Sequence, residues 1–187
     1  MLIKAIEVGY LQTNCYIVAD EATLDAAVID PGADSNLILD YIERCHFHVR
    51  AILLTHGHFD HCMGLEEVYD ATGATVYMSH ADLTTDIGNG MFGNEDFELD
   101  PPDDTVFVRE GDVIEAGSLT FFTGDTLFRM SCGRYDFPGS SSLDLGHSLE
   151  KLRDLPGDYE VYPGHEGSTS LEYERRFNPY MLRPWDL

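Results

Sequence analysis

The sequence predicts an α/β chain: two sheets with helices outside them, in one domain spanning residues 1–187. Three observations lead there. Short apolar runs at meander spacing open the chain, a helical run follows them, and the same strands-then-helix order recurs in the second half. A length of 187 residues suits one domain with a sizeable core and is short for two.

Residues 2–8, 14–19 and 25–29 read as strands, and Asp30-Pro31-Gly32 ends the third. Asp34 or Ser35 can cap a helix running to about Cys45, with Leu37, Ile38, Tyr41 and Ile42 on one face. Residues 50–54 form a fourth strand, 64–72 a helix stopped by Gly73, and 74–78 a further strand. His80 opens a short helix. Residues 88–104 are a long acidic loop punctuated by Gly88, Gly90, Gly93 and Pro101-Pro102. Met91, Phe92 and Phe97 give it apolar anchors, so it reads as an ordered loop near a site. Residues 105–108, 113–115 and 119–123 are expected as strands of the second sheet. Residues 124–139 are expected as a functional loop. A helix over 142–155 turns Leu145, Leu149 and Leu152 inward; a strand over 159–162 and a helix over 170–177, closed by Asn178-Pro179, complete the chain.

Composition narrows the function classes. The formal net charge of −23 argues against nucleic acid and against anionic membranes as partners, because phosphate binding needs a basic footprint. The acidity is most simply a matter of solubility. An anionic ligand would need a local basic patch, for which Arg129 and Arg134 are the best placed residues. No apolar run is long enough to span a membrane, and residues 1–7 do not read as an export signal. Cysteines 15, 45, 62 and 132 form no Cys-x-x-Cys pair and read as free thiols of a reducing cytoplasm.

The chemistry centres on Thr55-His56-Gly57-His58-Phe59-Asp60-His61, between an apolar strand and a helix. Three imidazoles and a carboxylate fall within six residues. These are the usual ligands of zinc and similar divalent ions, and a strand-end loop of chance histidines is a poor account of that density. His56 and His58 can share one ion, with Asp60 and His61 placed for a second.

This stretch resembles the His-x-His-x-Asp-His signature of the metallo-β-lactamase superfamily. Further blocks in the same order are Asp30-Pro31-Gly32, the run from Phe122 to Phe128 around Gly124-Asp125-Thr126, and Tyr162-Pro163-Gly164-His165. Together they cover most of the chain. Gly124-Asp125-Thr126-Leu127-Phe128 followed by Ser131-Cys132-Gly133-Arg134 is similar to short glyoxalase II-like hydrolases. The resemblance implies a four-layer αββα sandwich and two divalent ions, zinc first with iron or manganese open. It implies His56, His58, Asp60, His61, Asp125 and His165 as metal ligands, with Asp125 bridging and Asp60 also orienting the reacting water. It places Asp30 near the site, either holding a ligand imidazole in its tautomer or serving only its turn. Arg134 matches a basic residue that contacts glutathione, or is a surface arginine. His46, His48, His80 and His147 match no ligand position and read as surface or packing residues.

One block is missing. The superfamily carries a further histidine, in a Thr-Pro-Gly-His-like turn, that completes the first metal site; here residues 117–121 run straight into Phe122-Thr123-Gly124-Asp125. A segment on the order of twenty residues is lacking. The natural protein carries it and this chain does not, or a natural loss leaves only the second metal, or another residue has moved in. Removing two internal strands would open a sheet edge, a large cost against a stability of roughly 5–15 kcal/mol, so the first is favoured.

A water between two divalent ions loses its proton near neutral pH and can attack a carbonyl. A thioester suits this chemistry, because a thiol of pKa about 8.5 leaves without a strong general acid. The resemblance suggests a small-molecule thioester, S-D-lactoylglutathione or another 2-hydroxyacyl thioester. Gly167 stands where glyoxalase II has a substrate tyrosine, and a helical C-terminal glutathione-binding domain is not expected in this chain. A β-lactamase is disfavoured by the lack of an export signal and by Asp125 where a cysteine would stand. A mononuclear iron persulfide dioxygenase-like oxidoreductase and a degenerate, non-catalytic metal-binding member are the rival classes. We expect the gene to hold extra codons within the stretch for residues 117–122; a reading frame encoding the 187 residues alone would contradict the favoured explanation.

Overall fold

The computed structural model describes residues 1–83, 97–109, 120–136 and 140–186, with the backbone alone at 120–122. It divides into two compact units, Met1–Ser118 and Leu119–Leu187.

The first unit is a six-stranded sheet in sequence order. β1 (Leu2–Val8), β2 (Thr13–Ala19) and β3 (Asp25–Ile29) are antiparallel neighbours. β4 (His48–Leu53), β5 (Thr75–Ser79) and β6 (Val106–Val108) then add in parallel. Parallel addition needs crossovers, and the helices α1 (Ser35–Cys45) and α3 (Leu65–Thr72) supply those that lead into β4 and β5. Ile38 and Ile42 of α1 and Leu65 and Val68 of α3 pack with Ile17, Val28, Ile52 and Val76 into one buried cluster. A four-residue helix, α2 (Phe59–Cys62), precedes α3, and a 3₁₀ turn spans His80–Leu83.

The second unit holds β7 (Thr120–Gly124), the two-residue strands β8 (Leu127–Phe128) and β9 (Ser131–Cys132), α4 (Ser142–Asp154), β10 (Glu160–Pro163), β11 (Thr169–Ser170), α5 (Leu171–Phe177) and α6 (Pro179–Leu182). β7 pairs in parallel with β10, which pairs antiparallel with β11. Leu127, Leu149, Val161, Leu171 and Met181 form its core. Arg175 fastens α5 to the end of α4 through the carbonyls of Arg153 at 2.8 Å, Gly157 at 2.6 Å and Leu155.

Several expectations are corrected. Residues 105–108 do not join the second sheet: β6 pairs with β5 in the first. Asp34 sits at the α1 N-cap but in a left-handed conformation, and its side chain caps nothing; Oδ2 accepts from Gly9 N at 2.8 Å, tying the helix entry to the β1–β2 turn. Leu37 is exposed because the buried stripe of α1 runs through Ile38 and Ile42, four residues apart. The loop expected over 124–139 contains the β8–β9 hairpin, and Asn178 does not merely close a helix but caps α6 by accepting from Tyr180 N at 2.9 Å. The strand expected over 113–115, the 117–119 junction and Met91 and Phe92 lie outside the described residues. Phe97 does pack on the first core. Among the described residues no helix is long and apolar enough to cross a membrane.

The four cysteines are free, and three thiols are pushed up by burial. The charge of Asp30 adds to the effect at Cys15 and Cys62, and Cys132 moves from the ordinary 9.0 to about 11. A folded-state pKa above the unfolded one contributes stability that is complete below about pH 9 and is lost as pH rises through the folded value. The unfolding midpoint in urea should therefore fall between pH 9 and 11, and Cys132→Ala should flatten that fall; a midpoint flat to pH 11 would contradict the thiol assignment.

Candidate metal centre

In the first unit the site is built where two parallel strands end side by side. β3 delivers Asp30 and β4 delivers Thr55 through His58; Asp30 N donates to Leu53 O at 2.9 Å, which fixes the two strand ends to each other. Asp30 has φ +52°, an unusual conformation for a residue with a side chain. It turns a buried carboxylate under the histidine loop. Oδ1 accepts from Thr55 N at 2.7 Å, and Oδ2 accepts from Thr55 Oγ1 at 2.6 Å and from His61 Nδ1 at 2.9 Å.

These contacts assign the imidazole protons. A hydroxyl has one hydrogen. Thr55 gives its hydrogen to Asp30, so toward His56 Nδ1, 3.1 Å away, it accepts. Nδ1 of His56 thus carries the proton and Nε2 offers a lone pair. His61 likewise spends Nδ1–H on Asp30, which leaves Nε2 as the donor atom. One carboxylate therefore sets both tautomers, directly at His61 and through a hydroxyl at His56. Of the two readings of Asp30, the orienting role is the one with contacts behind it.

The donor atoms sit at ligand-like separations. His61 Nε2 is 3.6 Å from Asp60 Oδ2, and His56 Nε2 is 2.9 Å from His58 Nδ1. Two ligands about 2.1 Å from one tetrahedral ion are about 3.4 Å apart. The residues present thus fit a divalent ion. Asp60 Oδ2 is held in turn by Thr13, a fully buried residue that opens β2, whose hydroxyl donates at 2.7 Å. Gly57 N donates to Asp82, whose carboxyl is raised by burial.

Backbone contact explains Gly32 of the Asp-Pro-Gly block. A Cβ there would lie 1.6 Å from Asp60 O, so the turn after β3 and the first turn of α2 touch main chain to main chain. Gly64 N donates to Pro31 O at 2.8 Å and closes the same contact.

In the second unit β7 and β10 end together. Gly164 N donates to Gly124 O at 2.9 Å, and the turns that follow bring His165 Nε2 to 3.7 Å from Asp125 Oδ2. Phe128 sets its ring edge-on to His165, with centroids 5.9 Å apart. A Cβ at Gly133 would lie 1.7 Å from Asp125 O, which accounts for that glycine in Ser131-Cys132-Gly133-Arg134.

Arg134 is exposed and engaged by Asp136 through two bonds of 2.9 and 2.7 Å. Arg129 is exposed. His46 closes α1, His48 is exposed near Asp25, His80 packs on Phe107 and His147 on Trp185. Sequence reasoning missed Thr13, Thr55, Glu174 and Asn178. Each acts through a partner distant in sequence, so only their polarity at an otherwise apolar strand end or helix face could have flagged them.

The family model of the metallo-beta-lactamase superfamily matches residues 8–121. A curated relative, hydroxyacylglutathione hydrolase GloC of Haemophilus influenzae, is 28% identical over 97% of this chain and 98% of its own. That alignment runs over 210 positions against 187 residues here, so at least 23 have no residue of this chain, a shortfall of the size expected from the missing turn. The crystal structure of BLEG-1, a B3 metallo-beta-lactamase, superposes with TM-score 0.82 at 26% identity, covering 96% of this chain and 99% of that one. TTHA1623, solved in a di-iron-bound form, superposes with TM-score 0.81 at 30% identity, covering 95% and 99%.

Thr55→Val would remove one donor to Asp30 and release the His56 tautomer. It should weaken zinc affinity about 10- to 100-fold, read by chelator competition; unchanged affinity would contradict the relay. Gly32→Ala should sharply lower the urea midpoint, whereas Gly167→Ala, with nothing within 4 Å of its Cβ, should leave it within error. With these residues and this likeness in place, the chain belongs to the metallo-beta-lactamase superfamily, a group of mostly hydrolytic, divalent-metal proteins.

Proposed function

We propose that the protein is a metal-dependent hydrolase of a small thioester, S-D-lactoylglutathione or another 2-hydroxyacyl thioester. The observation that carries the reading is the pair of imidazoles, His56 and His61, oriented by one buried carboxylate, through the Thr55 hydroxyl at His56 and directly at His61. Likeness to a hydroxyacylglutathione hydrolase along nearly the whole chain supports the substrate class. In the first unit His56 and His58 would offer ligands to one ion and Asp60 and His61 to another; within the second unit Asp125 and His165 offer a further carboxylate and imidazole. Bound divalent ions supply carbonyl polarisation and an acidified water.

The chain's own residues then have distinct tasks. Thr13 donates to Asp60 Oδ2 and fixes the carboxylate that would aim the attacking water. Asp30 keeps two imidazoles oriented, His61 directly and His56 through Thr55. The thiolate departs without a dedicated acid. Arg134 can receive a substrate carboxylate by exchanging its Asp136 partner, because an exposed, solvent-screened pair is readily replaced. Open space beyond Gly167 accords with a loosely held thiol half.

A second reading is kept open by the choice of metal: TTHA1623 was solved in a di-iron-bound form, and imidazole with carboxylate suits iron as well as zinc. With a single iron the protein would be a persulfide dioxygenase-like oxidoreductase.

Purified protein should hydrolyse S-D-lactoylglutathione with release of free thiol, and Asp60→Asn should lower kcat about 10²- to 10⁴-fold. Turnover of a cephalosporin but no thioester would point to a lactamase. Oxygen uptake with a persulfide would favour the second reading.

A further inference from the structure

We infer that Glu174 is a positioning residue that ties the Asp125 loop to the His165 loop, a role that rests on reading those two residues as metal ligands. Glu174 lies on α5 and is completely buried, and among the described residues no cation pairs with it. A buried carboxylate is tolerated only when its lone pairs are well used. Here three donors use them. Oε2 accepts from Met130 N at 2.8 Å and from Asn178 Nδ2 at 2.8 Å; Oε1 accepts from Thr169 Oγ1 at 2.7 Å.

The donors come from two places that matter. Met130 is the left-handed residue at the tip of the β8–β9 hairpin, with φ +60°. That hairpin begins two residues after Asp125, and Gly133 at its far end rests on the Asp125 carbonyl. Thr169 opens β11, four residues after His165. Asn178 completes the clamp: the other Nδ2 hydrogen goes to Ser131 O at 2.9 Å, with Phe128 O a longer, shared acceptor at 3.3 Å, so both strands of the hairpin are reached. Phe128 in turn sets its ring against His165. One side chain thus holds the backs of two loops whose fronts carry Asp125 Oδ2 and His165 Nε2 at 3.7 Å.

The chemistry also predicts which substitution is harmless. In Glu174→Gln the amide oxygen can accept from Met130 N and Asn178 Nδ2. The amide nitrogen can donate to Thr169 Oγ1, which accepts as readily as it donates. Glu174→Ala has no such substitute.

The test uses the full chain and cobalt(II) alone as probe, reading affinity and the visible ligand-field spectrum, with thermal unfolding alongside. Glu174→Ala should weaken the weaker-bound cobalt about 10- to 100-fold and alter its spectrum, and Glu174→Gln should restore both to within about threefold. An alanine variant that is less stable yet binds cobalt with the parent affinity and spectrum would overturn the proposal, leaving Glu174 a purely structural residue. Thr169→Val, which cuts only the His165 side, covers the case in which the alanine variant does not fold: a several-fold loss with a changed spectrum is expected, and parent behaviour would overturn the proposal. A parent protein that binds no cobalt would instead remove the metal-centre reading on which the inference stands.

Discussion

The buried carboxylate of Asp30 is the constraint on which the rest of the first unit depends. It sits 1% exposed at the end of a central strand and takes three hydrogen bonds, two from Thr55 and one from His61. Hydrogen bonds to a charged group contribute about 1.5–3 kcal/mol each, and a buried charge stripped of its partners costs about 3–5 kcal/mol. The histidine loop is therefore fastened to the sheet by the same atoms that prepare its nitrogens for a cation. Gly32 and Gly64 exist to let the main chains close over that contact.

The second unit solves the same problem with different parts. Two parallel strands again end together, and a buried carboxylate again stands behind the loops that follow. There Glu174 grips loop backbone and a threonine hydroxyl rather than an imidazole, and Asn178 extends the grip to both strands of a hairpin too short to hold itself. A two-stranded ribbon of this size has little stability of its own. Its shape comes from the α5–α6 corner.

Much of this was legible in the sequence, for identifiable reasons. Strands 2–8 and 25–29 and the α4 stripe around Leu149 announce themselves through apolar periodicity, and the histidine cluster through density. What local pattern could not carry is contact between distant residues. Thr13 meets Asp60 across 47 positions and Glu174 meets Met130 across 44. Each reads in sequence as an ordinary polar residue of a strand or helix. β6 was misassigned because three residues, two of them exposed, say nothing about which sheet they join. The β8–β9 hairpin was missed because two-residue strands have no period to detect.

The proposed hydrolase needs a pair of divalent ions at prepared imidazoles, in a chain that lacks the turn histidine. Elemental analysis of protein purified without added metal tests it most directly. Two equivalents per chain, falling in His61→Ala, is the result this account predicts. One equivalent or none in the unsubstituted protein would contradict it and leave the dinuclear mechanism without a site.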